Sequence, residues 1–266
     1  MGNVFAFHLK MFIKNCKSLK SLVKNLSHYN IKYYITLFYL LWLTPFFGQY
    51  TTPETAIKKA FQESQLQKTQ TPLQALNITL EKACQSEYNS FNRYWYSYGL
   101  YNQALIADEL DDKEAAEQLV DRAIELLESL REEAESQALL ALELGYSTRF
   151  KSYWSMISLG RNAYQRAELA VALAPANLRT NLALAITDFF TPKVFGGGKK
   201  VESLLLSALH APRPSASDIT PQWGKPNVYE LFVKYYRKNN QPSKAQKYLN
   251  EGLREFPKNK LLLALK

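Results

Sequence analysis

The sequence of 266 residues predicts an all-α protein built from consecutive antiparallel helix pairs. From Gln49 onward, apolar residues recur at spacings of three and four, which is the period of a helix with one buried face. Ala, Leu, Glu, Gln and Lys dominate this part of the chain, and all five are strong helix formers. No strand-like alternation of apolar and polar residues persists over five positions. With 47% hydrophobic residues and 10 glycines, the chain can bury one extended core.

The clearest repeat unit lies near the C-terminus. Small or apolar residues and a closing proline stand there at fixed offsets: Tyr229, Phe232, Val233, Tyr236, Ala245, Leu249, Gly252 and Pro257. The aromatic residues and Val233 form one face of a first helix, small Ala245 and Gly252 let a second helix pack closely, and Pro257 ends it. This ladder resembles the tetratricopeptide repeat (TPR). The resemblance implies an α-solenoid that holds other proteins rather than catalysing a reaction.

The second-helix half of the ladder recurs four more times upstream. Its positions are Leu76, Leu80 and Ala83; Ala116, Val120 and Ala123; Ala163, Ala167 and Ala170, closed by Pro175; and Val201, Leu205 and Ala208. Successive copies are 40, 47, 38 and 44 residues apart, whereas a regular TPR has about 34. We therefore predict about five irregular helix pairs, stacked into one domain over residues 49–266.

A proline-rich stretch at 211–226 interrupts this domain. Four prolines exclude a continuous helix there, so the stretch is predicted to be a joint before the most regular repeat, 226–259. Within it, Trp223 and Gly224 are predicted to plug a groove.

Residues 1–48 form a basic leader with six lysines and no acidic residue. An apolar run at 31–47 precedes polar Gln49, an order typical of a signal peptide or an N-terminal membrane anchor. Its end, residues 46–49, resembles signal-peptide ends in exported proteins of Bacteroidetes-like bacteria. We expect an exported protein of the periplasm or cell envelope, with an inner-membrane anchor at 31–47 as the alternative. Cleavage, and the choice of Met1 or Met11 as the start, stay open.

The charge pattern argues against a nucleic-acid partner. The net charge of +9 falls to +3 once the leader is set aside, since 27 basic residues then face 24 acidic ones. Twelve acids lie in 108–135, and fourteen bases lie in 193–266. This is a charge dipole rather than the basic stripe typical of nucleic-acid binding.

Few residues suit catalysis, a cofactor or a metal. Two cysteines and three histidines are scattered, so no triad or zinc framework can be assembled, and we expect no enzyme, no cofactor and no metal site. The glycines at 196–198 lack the spacing of a phosphate loop and are predicted to form a structural turn. Residues 191–198 also resemble the inter-helix loop of a group of bacterial envelope TPR proteins.

Two aromatic stretches are candidate partner-binding surfaces. In the first, Phe91, Trp95 and Tyr98 share one helix face and are predicted to be core. The residues predicted to form an exposed binding surface are Arg93, Tyr94 and Tyr101 in this stretch, and Arg149 and Tyr153 in the second. Tyrosine and arginine supply much of the anchoring energy of protein interfaces.

The sequence leaves two functions open. One is a scaffold or adaptor that binds a peptide or helix of another protein along the solenoid groove. The other is a periplasmic solute-handling subunit that accompanies a transporter. A pocket of a few hundred Å³ would favour the solute, and an open groove would favour a protein partner.

Overall fold

The computed structural model describes residues 52–213 and 220–266. These residues form eleven α-helices and two short 3-10 turns, with no strand among them. The helices are α1 Pro53–Gln67, α2 Thr71–Ser86, α3 Ser90–Glu109, α4 Lys113–Leu127, α5 Ala134–Ser147, α6 Tyr153–Leu173, α7 Leu178–Phe190, α8 Val201–His210, α9 Lys225–Lys238, α10 Pro242–Glu255 and α11 Lys260–Leu263. The 3-10 turns are Thr148–Phe150 and Lys193–Phe195. The leader lies outside the described residues, so the expectations about export remain predictions.

The helices pack in sequential order. The pairs are α1 with α2, α3 with α4, α5 with α6, α7 with α8, and α9 with α10, and each pair also contacts the next. The short α11 covers the end of the array by packing against α9 and α10. The predicted all-α solenoid of about five irregular helix pairs is confirmed.

Local signals set the helix boundaries. Asn89, Asp112 and Asn177 each precede a helix, and each side-chain oxygen accepts a hydrogen bond from a backbone N–H of the first turn, at 2.8, 3.2 and 2.7 Å. Such caps satisfy donors that have no partner within the helix. Proline occupies the first turn of α1, α2, α9 and α10, where its missing N–H costs nothing. Pro175 and Pro257 follow the ends of α6 and α10.

The small residues of the ladder lie between the two helices of a pair. In α4, α6, α8 and α10 every ladder position is buried: Ala116, Val120, Ala123, Ala163, Ala167, Ala170, Val201, Leu205, Ala208, Ala245, Leu249 and Gly252. In the last pair the first-helix residues Tyr229, Phe232, Val233 and Tyr236 are buried as well. A Cβ on Gly252 would stand 2.9 Å from the Tyr229 side chain, so only glycine permits this approach.

The ladder was misplaced in the first pair. The structure buries Leu73, Asn77 and Cys84 of α2 and leaves Ala83 only half-buried, so the true register begins three residues earlier than Leu76. The apolar pattern missed this register because its central buried position is the polar Asn77. Its amide nitrogen donates to Gln103 Oε1 on α3 at 2.8 Å, and this bond satisfies the buried nitrogen.

We expect Gly99→Ala to destabilise the first two pairs. A Cβ at Gly99 would lie 2.2 Å from Asn77 Oδ1, so the new methyl group would push α2 away from α3. Overpacking of this kind costs about 1–3 kcal/mol of unfolding free energy, measured by urea denaturation. Gly160→Ala is the matched control, since nothing lies within 4 Å of its added Cβ. An equal effect of the two changes would contradict the tight α2–α3 contact.

One carboxyl group is enclosed where α3, α4 and α5 meet. Glu143 is fully buried, and its Oε1 lies 2.6 Å from Ser97 Oγ, which also lies 3.0 Å from the carbonyl oxygen of Ala123. A hydroxyl has one proton, so both contacts of Ser97 are hydrogen bonds only when Glu143 is protonated and donates one of them. Burial raises the pKa of Glu143 to about 8, although the Ser97 hydrogen bond opposes the shift. The group is therefore mostly neutral at pH 7.

Candidate functional site

The first helices of the pairs line one continuous groove. Residues of α1, α3, α5, α7 and α9 face it, joined by the start of α6, the loop after α7 and α11. The groove encloses about 2420 Å³. The first helices of successive pairs pack against one another, so their remaining faces form one surface along the array.

Aromatic rings build the wall that α3 and α5 contribute. The rings of Tyr101 and Tyr146 meet edge to face at 5.6 Å, and Tyr146 meets Phe150 in the same way at 5.4 Å. Tyr146 donates its hydroxyl to the carbonyl oxygen of Ala104 at 3.3 Å. Burial raises the pKa of Tyr101 and of Tyr146, so both phenols stay neutral at physiological pH. The wall offers apolar surface with few charges.

Residues 220–224, here called the strap, directly precede α9 and contact α1 and α3 in the groove. The backbone N–H of Gln222 donates to Glu54 Oε2 on α1 at 2.6 Å. The indole of Trp223 stacks on Tyr98, with ring centres 5.2 Å apart and planes 13° from parallel. Its Nε1 donates to the hydroxyl of Tyr94 at 3.0 Å. The strap thus links the start of the last pair to the first two pairs.

Arg179 of α7 holds the backbone of the strap in place. It is almost completely buried and binds Glu135 with two nitrogens, Nε and Nη2, each 2.6 Å from a carboxylate oxygen. Its remaining Nη1 donates to the carbonyl oxygen of Trp223 at 3.2 Å. Glu135 also accepts from the Asn177 side chain at 2.7 Å. This bidentate ion pair, whose arginine is buried, fixes the carbonyl end of the strap.

The strap is the described end of the joint predicted at 211–226. Its glycine, Gly224, has φ +110°, and a Cβ there would lie 2.8 Å from Leu178 Cδ2, so the turn that seats the strap requires glycine. Trp223 packs against three separate groups of core residues. The described end of the proline-rich stretch is therefore a fixed connection, and the indole does lie within the groove.

The structure separates the five predicted surface residues. Tyr101, Arg149 and Tyr153 line the groove, and Arg149 and Tyr153 are exposed. The expectation of an exposed surface is wrong for the other two, Arg93 and Tyr94, which are 8% and 5% exposed.

Both buried residues have internal partners. Arg93 donates to the carbonyl oxygen of Leu126 at 2.8 Å and to Ser129 Oγ at 2.6 Å, so it completes the end of α4. Tyr94 accepts from Trp223. The helical period alone assigned both residues to the outside, because it does not include the strap or the end of the partner helix α4.

Sequence reasoning missed the exposed apolar rim of the groove. Its large side chains are between 38% and 73% exposed: Leu66, Tyr153, Met156, Phe190, Phe195 and Leu261. Only Tyr153 was predicted. The others lie in the first or last turn of a helix or, for Phe195, in a loop, where the apolar period gives little direction. Only exposure in the fold distinguishes them from core.

The glycine turn serves the fold rather than a phosphate. The backbone N–H of Gly198 donates to the carbonyl oxygen of Asp188 at 2.9 Å, and the Asp188 side chain accepts from the Lys200 backbone N–H at 2.7 Å, at the start of α8. A Cβ on Gly197 would collide with the Thr191 carbonyl oxygen at 2.1 Å. The loop is the structural turn that was predicted.

Neither a metal cluster nor a reactive thiol emerges from the described part of the chain. No three His, Cys, Asp or Glu side chains within 52–213 and 220–266 come together as a metal site requires. Cys84 is buried, and burial raises the pKa of its thiol. Within the same residues, no helix has both the length and the apolarity needed to cross a bilayer.

Comparison with solved structures bears on the fold. The chain is similar to a crystal structure of a thermophilic TPR protein in Thermus thermophilus, with a TM-score of 0.54 and 15% identity over 80% of this chain and 95% of that one. The fold is a TPR-like α-solenoid. At this identity the likeness concerns the TPR-like fold alone.

A second similar structure is the HusA haemophore from Porphyromonas gingivalis. It has a TM-score of 0.49 and 19% identity over 72% of this chain and 96% of that one. No family model matches the TPR-like chain, and no curated protein matches it by sequence.

Proposed function

We propose that this chain is a non-catalytic interaction scaffold that binds a peptide or helix of a partner protein in the groove. The supporting observation is the groove itself. Its volume of about 2420 Å³ exceeds the ~300–1000 Å³ of ordinary small-molecule sites. Its rim exposes large apolar side chains, which mark interaction sites in soluble proteins.

Three side chains suit the role of anchors. Tyr101 lies in the wall, and Tyr153 stands on the rim with 63% of its surface exposed. Arg149 is 60% exposed and is held by Asp108 at 2.8 Å, which fixes its direction without removing it from solvent. A partner that covers these residues would gain contact with two tyrosines and one arginine, the residue types that dominate interface energetics.

We further propose that the scaffold works in the cell envelope. The support is the leader sequence, with its lysines and the apolar run at 31–47. Cleavage would release the solenoid, and retention would hold it at the inner membrane.

Site-specific photocrosslinking tests the scaffold proposal. We expect a benzophenone amino acid at Tyr153 to give discrete protein adducts in cells that make the full chain. The same probe at Tyr88 is the control, because Tyr88 is 66% exposed and lies outside the groove. Adducts at both positions alike, or at neither, would count against a groove-bound protein.

A smaller cleft is the strongest argument for the solute-handling alternative. It encloses about 680 Å³ between α2, α3 and α4. Its polar floor is already bonded internally, since Gln103 donates to Gln70 at 3.1 Å and Gln70 donates to Asp112 at 3.2 Å. Native mass spectrometry discriminates between the functions, because a solute-handling protein would retain a small molecule of constant mass.

A further inference from the structure

The groove carries two kinds of surface side by side. Its rim presents Tyr153 and Met156 from α6, Phe190 at the end of α7, Phe195 in the loop that follows, and Leu261 from α11, all at least 38% exposed. Surfaces of this kind require an apolar partner face to remove them from water. The partner must therefore have a continuous apolar stripe.

The charges on the same groove are strongly unequal. Within the described part of the chain, nine lysines and arginines line it against three carboxylates. All three carboxylates already have partners: Glu230 binds Lys234 at 2.7 Å, Glu255 binds Lys225 at 2.7 Å, and Glu54 accepts from the strap. Among the residues of 52–213 and 220–266 that line the groove, no acidic group is left to attract a basic partner.

Four of the groove's cations are free to bind a partner. Lys58, Arg161, Lys258 and Lys260 are exposed, and none of them forms an ion pair with any residue in 52–213 or 220–266. They come from α1, α6 and the chain on either side of the start of α11, so they occupy several parts of the groove. The positive electrostatic potential of these four side chains attracts and orients a negatively charged partner.

The size of the groove suits a helix. A helix with its side chains is about 10–12 Å across and rises about 1.5 Å per residue, so 2420 Å³ is the volume of roughly 14–20 helical residues. An amphipathic helix places an apolar stripe and a charged face side by side, as the two groove surfaces require.

We propose that the groove binds an acidic amphipathic helix of a partner protein. The apolar stripe packs on the rim residues, and carboxylates on the polar face bind Lys58, Arg161, Lys258 and Lys260. This inference rests on the proposed scaffold function and specifies the chemistry of the partner.

Two labelled peptides test it on the full chain. Both are about 18 residues long, within the length range that suits the groove, and have the same Leu and Phe stripe, and their polar faces carry Glu in one and Lys in the other. Fluorescence anisotropy should show the acidic peptide binding at least about tenfold more tightly at low salt, with the preference shrinking at about 0.5 M NaCl. A labelled oligonucleotide, which has charge without the apolar stripe, should bind more weakly than the acidic peptide.

Variants that lack the four groove cations test whether these residues cause the preference for the acidic peptide. Changing Lys58, Arg161, Lys258 and Lys260 together to Gln should remove most of the preference for the acidic peptide. The matched control changes Lys82, Arg131, Lys199 and Lys247 to Gln, which removes the same charge from exposed positions outside the groove. The control should bind both peptides as the unchanged chain does.

The outcomes separate this inference from the scaffold proposal. Equal or tighter binding of the basic peptide, or an equal loss in the two variants, overturns the inference while groove-specific crosslinking still supports the scaffold. Tighter binding of the oligonucleotide would overturn it in favour of a nucleic-acid partner. A loss of groove-specific crosslinking would overturn both.

Discussion

Trp223→Ala is expected to lower the unfolding free energy by about 2–3 kcal/mol, less than the ~3–5 kcal/mol of a fully buried tryptophan, because the indole is only partly buried. The change removes the stacking on Tyr98, the hydrogen bond to Tyr94 and the packing against three groups of core residues. It also leaves Tyr94 buried without its donor, which adds to the cost. Urea denaturation followed by helical circular dichroism measures the loss.

The same substitution should change the shape of the transition. In a linear repeat array each pair contacts only its neighbours, so stability is a sum of local terms. The strap adds a contact between pairs that are not neighbours, since the backbone N–H of Gln222 donates to Glu54, 168 residues away in sequence. Without the indole, we expect the last pair, α9 with α10, to unfold separately from the rest, which gives a broader or biphasic curve.

Trp154→Ala is the matched control. Trp154 is 79% exposed, so its loss should change stability by no more than about 0.5 kcal/mol. If both tryptophan variants unfold in one transition with similar midpoints, the strap does not hold the ends of the solenoid together.

Glu143→Gln is expected to stabilise the protein at pH 8 and to have little effect at pH 5. The carboxyl group has its pKa raised from 4.5 to about 8 by burial, so between these values the folded state holds a proton that the unfolded state has released. Stability is therefore fully present below pH 4.5 and falls as pH rises, by about 1.4 kcal/mol per unit, until the folded group ionises near pH 8. The accumulated loss is on the order of 4 kcal/mol.

Glutamine removes this pH dependence because its amide does not ionise, and it can still donate to Ser97. Unfolding free energies from urea curves at pH 5, 6.5 and 8 test the effect. The exposed Glu125 supplies the control, and Glu125→Gln should leave the slope with pH unchanged. Parallel pH profiles for the unchanged chain and Glu143→Gln would show that Glu143 is charged in the folded state.

The sequence determined the helices and their pairing. Apolar spacing of three and four, capping residues such as Asn89 and Asp112, and prolines at helix starts are local signals, and local hydrogen bonding decides where a helix begins and ends. The small residues of α4, α6, α8 and α10 predicted the pair contacts, because only small side chains let two helices approach closely.

Tertiary structure alone decided which side chains of each helix are free. The period of α3 placed Arg93 and Tyr94 outside, but the end of α4 and the strap cover them. The apolar pattern did not show the register of α2, because one of its buried positions is the polar Asn77. Asn77 is buried against its hydrogen-bond partner Gln103, which lies on another helix. The exposed rim and the excess of free cations likewise depend on contacts between residues far apart in sequence, for which no local pattern carries a signal.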